Sequence, residues 1–407
     1  MAAEIDQESL FLSGPRFLLI IFYEYININI CSQRFNRLSI NPETDSTEYE
    51  MMQSENEEEF MRKYRVGIVG CGTISRAHMN AYHSVISTDV VSACDIQEDK
   101  LKKFSDDYGI SALYTNYKEM LDKEKLDIIS ICTLADSHCD ITVSAAQQGV
   151  HVLCEKPMAI DLSEADMMID ACEKAGVKLA VDHHRRGDSR YQKAKQLIAD
   201  GAIGDLQAIV AEMATAGSGL METATHLYDS IRIFGGDVDW VFAHVTANRQ
   251  DISSKDVAHI PRSGFVAGDN APSYFYFKNG VYAMVHSFGD FGVELIGTKG
   301  RIILKEGYQP NPHPYLFAIW TYDNPSWQPI MTESVELMEQ WHLKPAYVRM
   351  VQEMIDSIEQ DREHYSNGKQ GRMALEIIMA IYESQISGAR VKLPLINRKN
   401  PLKQMVI

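Results

Sequence analysis

The chain is short of basic residues for its length of 407: 39 Lys and Arg stand against 56 Asp and Glu, a formal net charge of −17. Nucleic-acid binding draws on clustered Lys and Arg that neutralise phosphates, so this balance argues against a nucleic-acid partner. It names no other partner, because solubility alone explains an acidic surface. Cysteine pairs in metal or redox spacing are also missing. The seven cysteines are odd in number, none forms C-x-x-C, and none lies beyond Cys172. Most sit in apolar, strand-like runs, which reads as reduced, buried thiols of a cytoplasmic protein and leaves no metal site expected. Long apolar runs are absent as well. The stretch 17–23 ends at Glu24 and is too short to span a bilayer. Glu4, Asp6 and Glu8 stand where a secretory signal would carry basic residues, so neither a signal peptide nor a membrane partner is expected. No internal repeats or low-complexity tracts stand out.

What is present suits a soluble globular protein of two domains, with 45% hydrophobic and 23% charged residues. Residues 1–60 do not match the rest. Their second half, 41–59, is acidic and polar like a disordered linker. The working unit is expected to start at Met61, with 1–60 an extension that is disordered or an artefact of the gene model.

From 64 to 182 short β-rich runs (64–69, 90–95, 127–132, 151–154, 177–181) alternate with amphipathic stretches (75–84, 98–108, 137–148, 163–175). That is the βαβ rhythm, and right-handed crossovers make it a doubly wound parallel sheet. Gly149 and Gly176 fall at helix C-caps. After His183 the rhythm changes. A helix over 190–200 precedes strands at 206–213, 238–247, 273–277, 281–288 and 293–304, the last interrupted by a turn at 297–300. Lys278-Asn279-Gly280 reads as a type I′ hairpin turn. Strands joined by tight turns make this sheet antiparallel, and two helices, 346–360 and 371–387, close the chain. The expected division is a nucleotide-binding domain over 61–182, a second α/β domain over 183–395 and a tail over 396–407.

Gly70-Cys71-Gly72-Thr73-Ile74-Ser75 follows the first strand and opens a helix. Glycines there let the backbone approach a pyrophosphate, and the helix N-terminus stabilises its charge. Ser75 stands where Gly or Ala is usual. Asp95 ends the second strand, placed to accept hydrogen bonds from ribose hydroxyls and to repel a 2′-phosphate. NAD is therefore the expected cofactor. Lys100 and Lys102 keep NADP open, and an Asx turn with Gln97 is the plainer role for Asp95. The loop from Thr133 through Ala135 to His138 is expected to line the nicotinamide side of the cleft. It also reads as a strand-to-helix turn capped by Asp136 or Ser137, with His138 a structural first-turn residue.

Lys156, between Glu155 and Pro157, is directed from a strand end, where it can donate to a substrate hydroxyl or exchange a proton. Glu222, His226 and Asp229 fall on one face if their segment is helical. Catalysis, metal ligation and a capped helix start compete there. Metal is disfavoured by the lack of further ligand clusters, and by Arg185 and Arg186 beside His183 and His184.

These motifs together resemble the Gfo/Idh/MocA oxidoreductases, the family named for glucose–fructose oxidoreductase and inositol dehydrogenase. Val66 to Gly72 is similar to its opening strand and turn, and Glu155-Lys156-Pro157 to its signature tripeptide. Arg185-Arg186-Gly187-Asp188 and Gly201-Ala202-Ile203-Gly204 resemble its entry into the second domain. Leu220 to Asp229 is similar to its substrate-site helix, and Ala374 to Pro394 to its closing helix and strand. The resemblance implies a Rossmann domain followed by an α/β domain with an open, mostly antiparallel sheet. Through that sheet the family commonly forms oligomers, here a homodimer or homotetramer. It implies Lys156, Glu222 and His226 as catalytic residues, with His226 taking the proton of a substrate hydroxyl, Lys156 holding the oxygen and Glu222 tuning His226. It also implies His184, Asp229 and Arg185 as substrate or cofactor contacts, and Glu155 beside the cofactor. Glu222 replaces the family's usual Asp, and Leu134 its frequent Pro.

The expected activity is NAD(P)-dependent oxidation of a secondary alcohol on a sugar, cyclitol or related polyol, or the reverse reduction. The alternatives are a redox-assisted glycoside hydrolase with tightly held NAD and a cofactor-sensing regulator. Specificity is expected to lie in 215–220 and 289–322.

Overall fold

A computed structural model describes residues 63–213, 219–287, 289, 291–306, 315–330 and 345–406. The expectations for residues 1–60, and for the parts of the specificity loops at 215–218 and 307–314, lie outside the described residues.

The first sheet has six parallel strands: β1 (Tyr64–Val69), β2 (Thr88–Cys94), β3 (Ala112–Tyr114), β4 (Ile128–Ile131), β5 (His151–Cys154) and β6 (Leu179–Val181). Their order is β3-β2-β1-β4-β5-β6. Val66, Ile68, Ile129, Val152 and Val181 are fully buried. The strands read as continuous apolar runs because helices cover both faces: α1 (Ser75–His83), α2 (Glu98–Tyr108), α3 (Tyr117–Glu124), α4 (Ala135–Gln147) and α5 (Leu162–Ala175). The strand order reverses between β1 and β4, which opens a crevice at their carboxyl ends. Gly149 and Gly176 both take left-handed φ at helix ends, as expected. The sequence reading missed β3 and α3. Three residues are too few for a periodic signal, and α3 is marked only by Asn116, whose side chain accepts from the Lys118 N–H.

The second sheet has nine strands among the described residues. They are β7 (Leu206–Glu212), β8 (Val238–Ala243), β9 (Ser273–Phe277), β10 (Tyr282–His286), β11 (Gly292–Gly297), β12 (Gly300–Glu306), β13 (Tyr315–Thr321), β14 (Gln328–Pro329) and β15 (Val391–Lys392), in the order β14-β13-β12-β11-β7-β10-β9-β8-β15. Only β7 and β10 pair in parallel. Between β6 and β7 stand a 3₁₀ turn (His184–Gly187) and α6 (Ser189–Ala199), and between β7 and β8 a short α7 (Gly219–Glu222) and α8 (Ala224–Gly235). The hairpin at 278–280 is not type I′: only Gly280 has positive φ, at 90°. The Gly280 N–H donates to the Phe277 carbonyl and the Phe277 N–H to the Val281 carbonyl, at 3.0 and 2.9 Å. That is a type I turn closed by a glycine bulge, which also satisfies the strand twist.

The last two helices join the sheets. On α9 (Pro345–Glu359), Tyr347, Met350 and Met354 pack with Ala77, Ala81 and Tyr82 of α1. Along α10 (Gly368–Ser387), Gly371 lies against Val181 of β6, while Ser384 accepts from the Ala243 N–H of β8. The tail returns to the first domain: the Ser163 N–H donates to the Arg398 carbonyl, and Leu402 is fully buried. A Cβ on Gly371 would lie 2.5 Å from Val181 Cγ2 and 2.8 Å from its Cβ, on a branched side chain with no room to turn. Gly371→Ala should therefore destabilise the protein by about 1–3 kcal/mol, read as a lower urea midpoint.

Candidate functional site

At the crevice, Gly70 has a φ of 92°, and a Cβ there would lie 2.7 Å from the Cys132 carbonyl. Glycine thus lets the β1–α1 turn close onto the end of β4. A Cβ on Gly72 would meet nothing within 4 Å. Ile74 precedes α1, and no side chain caps the helix start: the Arg76 and Ala77 N–H groups donate to the Thr73 and Ile74 carbonyls at 3.4 and 2.9 Å, and no carboxylate or hydroxyl competes there with an anion. Open space beside Gly72 and an uncapped helix fit a dinucleotide pyrophosphate, with Cys71 and Thr73 between them. Ser75 is buried, and its hydroxyl donates to the Gly72 carbonyl at 2.6 Å, which holds the turn's shape where Gly or Ala is usual. Asp95 accepts the N–H groups of Cys71 and Gln97, each at 2.8 Å. It therefore braces the glycine turn from the position expected of a ribose acceptor. Across the crevice Thr133 accepts from the Ser137 hydroxyl at 2.8 Å, and Ala135 starts α4.

Lys156 reaches out of the first domain. Its Nζ donates to the Glu222 carbonyl at 3.1 Å, joining the end of β5 to the α7–α8 junction. His226 lies in the first turn of α8 and is buried, and its Nδ1 has no hydrogen-bond partner among the described residues. Its ring packs edge-on against His184 at 4.7 Å and His183 at 5.7 Å. His184 in turn stacks on Tyr347 at 4.5 Å. Burial, then Arg185, His184, Lys156 and His183, hold the His226 pKa well below its ordinary value. The ring is thus a neutral imidazole, ready to accept a proton.

The structure gives several of the expected site residues other partners. Among the described residues no hydrogen bond or ion pair joins Glu222 to His226. The helix is interrupted at Thr223, and the Glu222 carboxylate accepts from Ser263 Oγ and pairs with Arg262 Nε, each at 3.1 Å. Asp229 has a protein partner. It is buried, and Arg186 clamps it at 2.7 and 2.8 Å. Both ring nitrogens of His138 face backbone carbonyls, Pro157 at 3.0 Å and Thr133 at 3.2 Å. It ties the α4 loop to the Lys156–Pro157 turn. Glu155 is buried and accepts from His78 and from the Lys156 N–H, both at 3.0 Å. Arg185 gives its charge to Glu306 at 2.8 Å and stacks 3.8 Å from the Phe291 ring centre, and its Nε has no partner among the described residues. Sequence reasoning missed Arg262, Ser263, Glu306, His78 and Asp182. Only His78 left a signal, a histidine on the inward face of a helix that opens at a glycine turn.

A dinucleotide crevice facing a lysine and a neutral histidine defines a nicotinamide-dependent oxidoreductase. Residues 64–183 match the oxidoreductase family with NAD-binding Rossmann fold, and residues 211–393 match its C-terminal α/β domain. The chain belongs to that family, Gfo/Idh/MocA. It is similar to a D-apiose dehydrogenase of Paraburkholderia graminis, 25% identical over 84% of this chain and 92% of the relative. A myo-inositol 2-dehydrogenase of Thermotoga maritima is 26% identical over 58% of this chain and 74% of the relative. Among solved structures, levoglucosan dehydrogenase with NADH and levoglucosan shares the fold at a TM-score of 0.71 and 18% identity, covering 82% of this chain and all of the other.

Burial depresses more than one histidine. His183 and His364 are each lowered to about 4, and His138 and His226 are also lowered. A histidine whose folded pKa lies below its unfolded one leaves the unfolded state with more protons, so stability falls as pH drops below 6.5. Asp182 and Glu164, raised by burial, offset part of this in the same window. His183 and His364, lowered to about 4, are each worth about 2 kcal/mol between pH 7 and 5. Urea midpoints should fall steeply from pH 7 to pH 5. A flat or rising midpoint would show that these rings are charged in the folded protein.

Proposed function

We propose that this oxidoreductase moves hydride between a secondary alcohol of a sugar, cyclitol or related polyol and NAD, with NADP the less favoured cofactor. The observation that carries this is Lys156 Nζ, which crosses from the end of β5 to the backbone at Glu222, one helical turn before the neutral His226. Residues 70–74, Asp95, Thr133 and Ala135 would hold the cofactor, and the bound nicotinamide supplies the hydride acceptor. His226 takes the proton of the substrate hydroxyl. Lys156 turns from the Glu222 carbonyl to the substrate oxygen and stabilises the negative charge that develops there. Glu222, with Ser263 and Arg262, fixes the backbone that receives Lys156. His184, beside His226, contacts the substrate. The similar dehydrogenases act on polyhydroxylated compounds by their names, which supports that substrate class. Lys156 and His226 facing one cleft favours turnover over cofactor sensing, and the redox-assisted hydrolase has no observation in its favour.

The test follows reduced-nicotinamide absorbance for the full chain with NAD, then NADP, across neutral sugars, inositols and sugar acids. A rise with one class is expected. Lys156→Ala should lower kcat by about 1000-fold or more while cofactor affinity changes less than about threefold. Unchanged turnover in that variant would remove Lys156 from the reaction.

The reading includes a cytoplasmic homodimer or homotetramer. Six cysteines among the described residues are free and buried, which suits a reducing compartment. None of the described helices is long and apolar enough to cross a membrane. One face of the nine-stranded sheet leaves Phe242, Tyr276, Tyr282 and Met284 exposed, and Trp240 stacks on Tyr274 at 5.5 Å and on Tyr276 at 5.7 Å. Such a patch supports pairing of copies through this face. Met284→Glu should shift the mass measured by light scattering toward the monomer, and an unchanged mass would place the interface elsewhere.

A further inference from the structure

One buried charge cluster lies outside the reacting groups, and it touches both arms that carry them. His78 stands one turn into α1, the helix that opens at the pyrophosphate turn, and its ring is buried. Nδ1 lies 2.8 Å from Ser130 Oγ in the middle of β4. Nε2 lies 3.0 Å from Glu155 Oε1 at the end of β5 and 3.2 Å from Asp182 Oδ2 at the end of β6. One imidazole therefore meets three neighbouring strands of the sheet.

Each carboxylate leads to a different part of the site. The other oxygen of Glu155 accepts the Lys156 N–H at 3.0 Å, so Glu155 fixes the peptide from which Lys156 extends. Asp182 begins the segment that continues into His183 and His184. Its Oδ1 lies 3.9 Å from His184 Nδ1, and His183 Nε2 lies 3.0 Å from the Thr225 hydroxyl beside His226. Neither oxygen of Asp182 accepts a hydrogen bond within the described protein, so the two rings are its charge partners.

We propose that His78 is a positioning residue of the hydride-transfer reaction: as a buried cation between Glu155 and Asp182, it holds the Lys156 arm and the His183–His184 arm in mutual register. This rests on the role of Lys156 given under Proposed function. Charged, the ring donates through both nitrogens, to Ser130 and to Glu155. Burial opposes that charge, but Cys132, Asp182 and Glu155 outweigh it and hold the His78 pKa well above its ordinary value. The groups that face the cluster are Tyr82 from α1 itself, Cys132 just after β4, Cys154, Glu155 and Lys156 at and beyond the end of β5, Asp182 and His184 beyond β6, Tyr365, and Tyr347 from α9, whose ring centre lies 6.1 Å from that of His78. Without the imidazolium, two carboxylates face each other in the interior, and they can share the space only once one takes up a proton.

The experiment compares His78→Gln with the wild type at pH 6 and pH 9, reading the ratio of their kcat values and the cofactor dissociation constant. Turnover should fall by about 30-fold at pH 9 and only about threefold at pH 6, where one carboxylate regains a proton, with cofactor affinity within about threefold. The double variant His78→Gln/Asp182→Asn removes the excess carboxylate. It should recover to within about threefold of the wild type at both pH values. Wild-type turnover in His78→Gln overturns the proposal. So does an equal loss at both pH values that Asp182→Asn does not relieve, since that marks a packing defect. If His78→Gln alone does not fold, the double variant decides, and a loss of about tenfold or more in it overturns the proposal. Lys156→Ala, run alongside, separates the two readings. If it keeps turnover, the role of Lys156 fails. If it is inactive while His78→Gln is normal, only the role of His78 fails.

Discussion

The end of β5 is the constraint on which the rest of the site depends. Cys154 is fully buried, the next residue is pinned by its carboxylate, and the side chain of the one after that crosses to the Glu222 carbonyl of the second domain. A strand end that rigid makes a long, flexible lysine useful. Lys156 has four rotatable bonds, and ordering them costs entropy. Its backbone is held by Glu155, the following turn is braced by the His138 ring, and its Nζ is received by the Glu222 carbonyl. The interruption of the helix at Thr223 gains its meaning here. It sets the Glu222 carbonyl in reach of Lys156, while α8 restarts to carry His226.

The two domains are held together by elements from the far end of the chain. α9 lies on the helix that follows the cofactor turn, and Tyr347 from α9 stacks on His184. α10 contacts both sheets, and one cluster of buried residues runs through both domains. Loops are the usual carriers of function because rigid elements position them. Here the positions come from strand ends on one side and a helix on the other.

Much of this was legible in the sequence, for physical reasons that can be named. The strands of the first sheet announced themselves because burial on both faces makes each a short apolar run. The glycine turn was legible because backbone approach leaves no alternative residue at Gly70. Lys156 and His226 were legible through the resemblance of their surroundings. What failed shares one cause. A spacing of i, i+4 and i+7 says which residues share a face only if the helix is unbroken, and it does not say which partner waits on the other side. Glu222 found Ser263, Asp229 found Arg186, and Arg185 found Glu306, each supplied by a distant segment. β13 and β14 escaped for a similar reason, since their pairing partners define them more than their own patterns do.

Those same pairings shape the chemistry. Asp229 neutralises Arg186, Glu306 neutralises Arg185, and Asp188 neutralises Arg190 within the short stretch that enters the second domain. Among the described residues, what then faces the crevice from these elements is Lys156 and a set of imidazoles, with His183 and His226 held neutral by burial. Neutral imidazoles donate and accept, as hydroxyl groups do. Among the described residues no carboxylate forms an ion pair with the Lys156 ammonium, whose Nζ donates to a carbonyl, so on the proposed reading it is free to turn to an oxygen that becomes negative as its proton leaves. Binding such an oxygen more strongly than the alcohol it came from is the difference between holding a polyol and oxidising one.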